Sequence, residues 1–78
     1  MFKRRIGPDP HLKGKTPGIK SCPDIWELEN GDFAIIGIEN TQKLIKYLPA
    51  NSSCGPDENI IVIPRRVLVD AKSDIPEE

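Results

Sequence analysis

The sequence contains few of the residues from which catalytic and metal sites are usually built. His11 is the only histidine, and the two cysteines, Cys22 and Cys54, are not arranged as Cys-x-x-Cys. A four-ligand zinc site would therefore need a carboxylate or a second chain to complete it. The chain also has no glycine-rich phosphate loop and no obvious pairing of a nucleophile with a base. These absences argue against an enzyme, and the sequence predicts no bound cofactor.

Long apolar runs are also missing. No run of consecutive apolar residues exceeds four, which is too short to cross a membrane, and residues 1–20 lack the apolar core of a secretory signal. We therefore expect a cytoplasmic protein with no membrane segment, in which both cysteines are reduced thiols.

In an alternative interpretation, strands at 25–29 and 60–63 run parallel. Cys22 and Cys54 would then lie at one end of the sheet, as a disulfide or as part of a metal site.

The chain has 78 residues and a hydrophobic fraction of 37%, so it can form one small domain at most. A chain of this length buries only about 60% of the surface that its unfolded form exposes. Prolines and glycines interrupt residues 1–21 repeatedly, and no periodic pattern is present there. We predict an irregular or disordered basic arm (1–21), a small domain (22–76) and a frayed tail (77–78). Alternatively, the arm is extended and holds one or two apolar side chains against the domain.

Residues 25–38 predict a β-hairpin closed by Asn30 and Gly31. Asn-Gly between two alternating runs is typical of a type I′ turn, which needs positive φ at both central residues. A two-residue turn here places Trp26 opposite Ile35. Side chains alternate between the faces of a strand, so this register puts four apolar side chains on one face. They are Trp26, Leu28, Phe33 and Ile35.

The rest of the chain predicts two helices and a third strand. The first helix is capped by Asn40 or Thr41 and ends before Pro49, because the residue before a proline avoids the helical region. The apolar run 60–63 has the length and the β-branched composition of a strand. A second helix is predicted from Pro64 to about residue 72, since proline is favoured in a first helical turn. The competing interpretation continues the strand through this segment.

These elements define a small α+β domain, in which a hairpin and a third strand are packed by one or two short helices. The predicted core consists of ten residues: Trp26, Leu28, Phe33, Ile35, Leu44, Leu48, Ile61, Ile63, Val67 and Leu68.

Charge is distributed unevenly along the chain. Residues 1–20 contain six basic side chains against one acidic, and the other residues contain five against eleven. A flexible basic arm can neutralise phosphates, so nucleic-acid association is one possible function. The residues that would carry it are Lys3, Arg4, Arg5, Lys13, Lys15 and Lys20. The simpler interpretation is that these charges only keep the arm in water.

The leading interpretation is a small non-catalytic protein-interaction module that serves a larger partner, or that self-associates. It rests on a chain too small for a pocket, with an acidic hairpin and a sheet that has open edges. Trp26, Glu27, Glu29 and Asp32 are the predicted partner-binding residues. Glu29 and Asp32 are expected to face each other beside the turn, which is unfavourable unless a cation lies between them. The simpler interpretation is a core tryptophan and a solvated hairpin tip.

Overall fold

The computed structural model describes residues 1–9 and 23–77. The strands are Phe2–Arg5 (β1), Asp24–Leu28 (β2), Phe33–Ile36 (β3), Ile38–Glu39 (β4) and Ile61–Val62 (β5). The helices are Thr41–Leu44 (α1), continued by a 3₁₀ turn over Ile45–Tyr47, and Arg65–Ala71 (α2), continued by a 3₁₀ turn over Lys72–Asp74. The strands form a three-stranded antiparallel sheet, in the order β1-β2-β3, and a separate antiparallel pair of β4 with β5. The prediction of a small α+β domain is confirmed.

The hairpin between β2 and β3 is present, but its turn and its register differ from the prediction. The Gly31 N–H donates to the Leu28 carbonyl (3.0 Å), and the Leu28 N–H donates to the Asp32 carbonyl (2.8 Å). Gly31 has a φ of +95°, and no other residue of the described hairpin has a positive φ. This pattern is a three-residue loop, a type I turn followed by a glycine in the left-handed region. Trp26 therefore pairs with Ala34, and the predicted register is wrong by one residue.

A shift of one residue moves every side chain of one strand to the other face. Phe33 and Ile35 consequently share a face with Ile25, while Trp26 and Leu28 lie on the opposite face. The prediction that all four apolar side chains of the hairpin share one face is wrong.

Replacing Gly31 by alanine is expected to destabilise the chain by about 1 kcal/mol, because an alanine in the left-handed region is strained. A Cβ at this position would meet no atom within 4 Å, so the backbone conformation is the only cost. Gly55→Ala is the matched control, since Gly55 does not have a positive φ. Urea denaturation of both variants measures the difference. An equal cost at the two positions would contradict the three-residue loop.

Residues 1–9, which were predicted to belong to an irregular arm, include a strand and a buried side chain. Phe2–Arg5 pairs antiparallel with β2, with a bulge between Phe2 and Arg4, and Ile6 is only 3% exposed. The prediction of an irregular arm is therefore wrong for these residues. Ile6 instead matches the alternative, in which the arm holds an apolar side chain against the domain. The remainder of the predicted arm, residues 10–21, lies outside the described residues.

The end of α2 is attached to the end of β1. The Gly7 N–H donates to Asp74 Oδ2 (2.8 Å), and Arg4 Nη2 donates to the Asp74 carbonyl (2.7 Å). Gly7 has a φ of +85°, and a Cβ there would lie 3.4 Å from the Cα of Ala71. Glycine thus permits both the turn after β1 and the close approach of α2.

The buried core is smaller than predicted and is built from other residues. Ile6, Ile25 and Ala71 are its buried apolar members within the described ranges, and Ile63 and Val67 pack against them. Of these five residues, only Ile63 and Val67 belonged to the predicted core. Four other predicted members, Phe33, Ile35, Ile61 and Leu68, are more than a third exposed.

Both predicted helices form, although α1 is short and capped differently. The Asn40 side chain makes no capping hydrogen bond; instead, Glu39 Oε2 accepts the Thr41 N–H (2.9 Å). The hydrogen bonds from the side chain and backbone of Thr41 lower the pKa of the Glu39 carboxyl. The Thr41 hydroxyl also accepts the Ile60 N–H (2.8 Å), which ties α1 to the residue before β5. After Pro64 the chain turns into α2, so the competing prediction of a continued strand is wrong.

Candidate protein-interaction surface

The three-stranded sheet has two different faces. α2 packs against β2 on the side where Ile25 meets Ala71. Alternation along the strands and the observed register place five apolar side chains on the other side. We call this side the Trp26 face, and its apolar members are Phe2, Trp26, Leu28, Ala34 and Ile36.

Trp26 is held on this face by three kinds of contact. The Phe2 ring meets it edge-on, with 5.8 Å between ring centroids and 65° between planes. The Arg5 guanidinium carbon lies 4.5 Å from the Trp26 ring centroid, which is a cation–π contact. The indole Nε1 donates to Asp24 Oδ2 (2.9 Å). The ring is therefore fixed in orientation although the residue is only half-buried.

Asp24 is the centre of these contacts. Its buried carboxylate accepts hydrogen bonds from the Ile25 N–H (3.0 Å), from Trp26 and from Arg5 Nε (3.1 Å). Arg5 forms a second ion pair with Asp9 (3.4 Å). Sequence reasoning missed Asp24 and Arg5 as supports of the tryptophan. The sequence feature that could have predicted the Asp24 contact is its spacing of two residues from Trp26, which puts both side chains on one face of a strand.

Replacing Asp24 by alanine is expected to destabilise the chain by about 2 kcal/mol, because the indole N–H and the Arg5 guanidinium lose a charged acceptor. The Trp26 fluorescence anisotropy should also fall, since its ring loses the hydrogen bond that fixes it. Asp57→Ala is the matched control, at an exposed loop position. Urea denaturation followed by Trp26 fluorescence measures both effects. A cost no larger than that of the control would contradict a supporting role for Asp24.

The predicted partner-binding residues do not form one cluster. Glu27 is buried on the α2 side, where its carboxylate accepts Arg4 Nε (2.8 Å). Glu29 lies in the hairpin loop and pairs with the N-terminal ammonium group. Asp32 is exposed and pairs with Leu28, so Glu29 and Asp32 are not cross-strand partners, contrary to the prediction. Their binding role, like that of Trp26, stays a prediction.

The described part of the basic arm is largely engaged with carboxylates. Arg4 binds Glu27, and Arg5 binds Asp24 (3.1 Å). Lys3 is exposed. The other predicted phosphate-binding residues, Lys13, Lys15 and Lys20, lie outside the described residues. Nucleic-acid association stays a prediction, in which Arg4 and Arg5 would have to exchange their present partners.

The cysteine alternative depended on two parallel strands. β5 pairs with β4, and within the described ranges it does not join the sheet that contains β2. Cys54 is a free, half-buried thiol, while Cys22 and His11 lie outside the described residues. Among residues 1–9 and 23–77, no three His, Cys, Asp or Glu side chains are grouped as metal ligands.

Large apolar side chains are exposed on most elements of the described chain. They occur on both faces of β3, on both strands of the β4-β5 pair, in the 3₁₀ turn after α1 and on α2. The most exposed are Met1, Phe2, Ile38, Tyr47 and Val69. Where such side chains form one contiguous patch, they are typical of a surface that meets another molecule.

Comparison with protein-family models, with curated proteins and with solved structures finds no match to this chain. In the part of the chain that the structure describes, no helix has both the length and the apolar composition needed to span a membrane.

Proposed function

We propose that this chain is a small non-catalytic protein-interaction module that acts as an accessory or adaptor to a larger protein. One observation carries the proposal. The described residues bury three apolar side chains and leave thirteen large ones more than a third exposed. Contact with another protein would remove part of this apolar surface from water, which is the main favourable term in protein association.

The Trp26 face is the part of this surface that is best prepared for binding. Tryptophan and arginine are enriched at positions that dominate binding energy, and phenylalanine is enriched at interfaces. The contacts with Asp24 and Arg5 fix the Trp26 ring before a partner arrives, so less side-chain freedom is lost on association. In this proposal Trp26 supplies the apolar contact.

The acidic side chains contribute at the margin of this surface. Asp32 lies exposed at the hairpin tip, where it would favour a partner with basic groups, and Glu29 would have to exchange the N-terminal ammonium group for such a partner. Glu27 acts indirectly, since it holds Arg4 and β1 in place from the opposite face. The proposal includes a cytoplasmic location, in which the free thiol of Cys54 is kept reduced.

A photocrosslinking residue in place of Phe2 tests the proposal. Phe2 is exposed and contacts the Trp26 ring, so a partner on this face lies within reach. Irradiation in cells is expected to attach one discrete protein. The matched control has the same crosslinker in place of Tyr47, which is also exposed but lies in the 3₁₀ turn after α1. The control should not yield the same product.

A second variant shows whether the attached protein recognises this face. Ile36→Lys puts a charge among the apolar side chains of the Trp26 face and should abolish the product from position 2. Circular dichroism confirms that the variant folds. Identical products from positions 2 and 47, or a product that a folded Ile36→Lys variant still forms, would overturn the proposal.

A further inference from the structure

We infer that the edge of β3 opposite β2, which pairs with no other strand in the described residues, pairs antiparallel with β3 of a second copy of this chain, so that the two sheets become one. This inference goes beyond the proposed function, because it concerns the edge of the sheet and not the Trp26 face. It follows from the exposed side chains of β3, from the contrast between the two sheet edges and from the symmetry of the β3 sequence.

The two outer strands of the sheet differ in how they are protected. Natural edge strands usually carry charges, prolines or bulges that prevent pairing with another strand. β1 has both a bulge and three basic side chains, Lys3, Arg4 and Arg5. β3 has the sequence Phe-Ala-Ile-Ile, with no charge, no proline and no bulge in its pairing with β2. An unprotected apolar edge of this kind is a template for a further strand.

The backbone of β3 has hydrogen-bonding groups directed away from β2. The Leu28 N–H bonds the Asp32 carbonyl, and hydrogen-bonded pairs alternate along an antiparallel ladder. Ala34 and Ile36 therefore direct their backbone groups toward β2, and Phe33 and Ile35 direct theirs outward. In the described residues, β3 pairs with no strand other than β2.

The sequence of β3 complements itself around Ala34. In antiparallel pairing with a second copy, Phe33 of each chain lies opposite Ile35 of the other, and each pair exchanges two backbone hydrogen bonds. Phe33 is 41% exposed and Ile35 is 48% exposed, so these aromatic–aliphatic pairs would cover surface that is now open. Ala34 faces its own copy at the twofold axis, where strands approach closely and a small side chain fits.

Charge also permits this arrangement. Asp32 of one chain would lie opposite Ile36 of the other, so no like charges face each other. Paired residues lie on the same face of a sheet, so the two Trp26 faces would point to the same side. A partner with two binding segments could then engage both copies, which raises the effective affinity.

The contact between copies is expected to be weak. A pairing of two short strands covers less than the roughly 800 Å² per partner that is typical of stable complexes. Sedimentation of the full chain from about 1 μM to about 1 mM should therefore show a shift from one chain to two as concentration rises.

Opposite charges introduced at Ala34 test whether β3 forms the contact and whether a second copy of the chain is the partner. Ala34→Lys and Ala34→Glu alone each place like charges at the twofold axis, so each dimer should weaken by about tenfold. An equal mixture of the two variants should restore dimerisation as the mixed pair, which native mass spectrometry can identify. Ile45→Lys is the matched control, at an exposed position outside the sheet, and should leave dimerisation unchanged.

A backbone variant gives a second measurement. Ile35→Pro removes an outward N–H and no bond to β2, whereas Ile35→Ala keeps that N–H although it removes more of the side chain. Proline should abolish the dimer and alanine should weaken it less, with circular dichroism confirming that both fold.

Several results would overturn the inference. They are a chain that remains monomeric at all concentrations, a dimer that the Ala34 variants do not weaken, and a mixture with no preference for the mixed pair. A crosslinker at position 35 that attaches a different protein and never a second copy would also overturn it. None of these results decides the proposed function, which the crosslinks from position 2 test separately.

Discussion

Replacing Ile25 by alanine is expected to destabilise the folded chain by about 3 kcal/mol, because a buried isoleucine loses its apolar contacts and leaves a cavity. Ile25 belongs to a very small core, whose other buried apolar members in the described residues are Ile6 and Ala71. Marginal domains have a total stability of about 5 kcal/mol. The substitution should therefore shift the urea midpoint strongly downward and leave a measurable fraction of the chain unfolded without denaturant.

Ile45→Ala is the matched control, because it removes the same atoms from a side chain that is already 44% exposed. Its cost is expected to stay below about 1 kcal/mol. Urea denaturation at low protein concentration separates this comparison from any effect of self-association. Similar costs at the two positions would mean that the stability of the chain does not depend on the Ile6–Ile25–Ala71 core.

The sequence predicted the hairpin because Asn30-Gly31 lies between two apolar runs, but it could not determine the register. A two-residue type I′ turn and a three-residue loop both use a glycine with positive φ at this place. The three-residue loop is further supported by the Asn30 side chain, whose Oδ1 accepts the Asp32 N–H (2.9 Å). Because the loop is one residue longer, Trp26 pairs with Ala34 and its side chain leaves the predicted core.

β1 could not be predicted from its own sequence, because Phe-Lys-Arg-Arg has no alternation of apolar and polar residues. Its position depends on residues that lie far away in the chain. Arg4 pairs with Glu27 and Arg5 pairs with Asp24, so the charges that suggested a free arm are what attaches it. Interactions between distant residues of this kind leave no periodic signal in the sequence.

The two helices were predictable because prolines mark their boundaries. The 3₁₀ turn after α1 ends at Tyr47, shortly before Pro49, and α2 begins directly after Pro64. The placement of β5 was not predictable, since a short apolar strand can join either sheet. Gly37 separates β3 from β4, and its missing side chain leaves room for Ile63, which packs against the core.

The candidate surface could be predicted only in part. Trp26 was predicted from the sequence to bind a partner, which stays a prediction, and the structure leaves it half-buried with Phe2 beside it. The supports of the ring and the unprotected edge of β3 depend on pairing between strands. They could be found only after the register of the sheet was known.

Removal of the Arg4 guanidinium by Arg4→Met is expected to destabilise the chain by about 2 kcal/mol. The Glu27 side chain is 10% exposed, so its carboxylate would remain largely shielded from water without a partner. The Asp74 carbonyl would also lose its bond to Arg4 Nη2. This expected loss of stability is smaller than for a fully buried ion pair, because the Arg4 side chain is 43% exposed and solvent screens the interaction.

Removal of the other partner, by Glu27→Leu, is expected to destabilise the chain less than Arg4→Met does. Arg4 can then be hydrated and can keep its bond to Asp74. Removing both charges should be nearly neutral, since a well-packed apolar pair often replaces a buried ion pair without loss. A double-mutant cycle measured by urea denaturation compares the three variants. Additive costs, or a larger cost for Glu27→Leu than for Arg4→Met, would contradict this account. β1 would then depend mainly on its backbone hydrogen bonds to β2, with the ion pair contributing little.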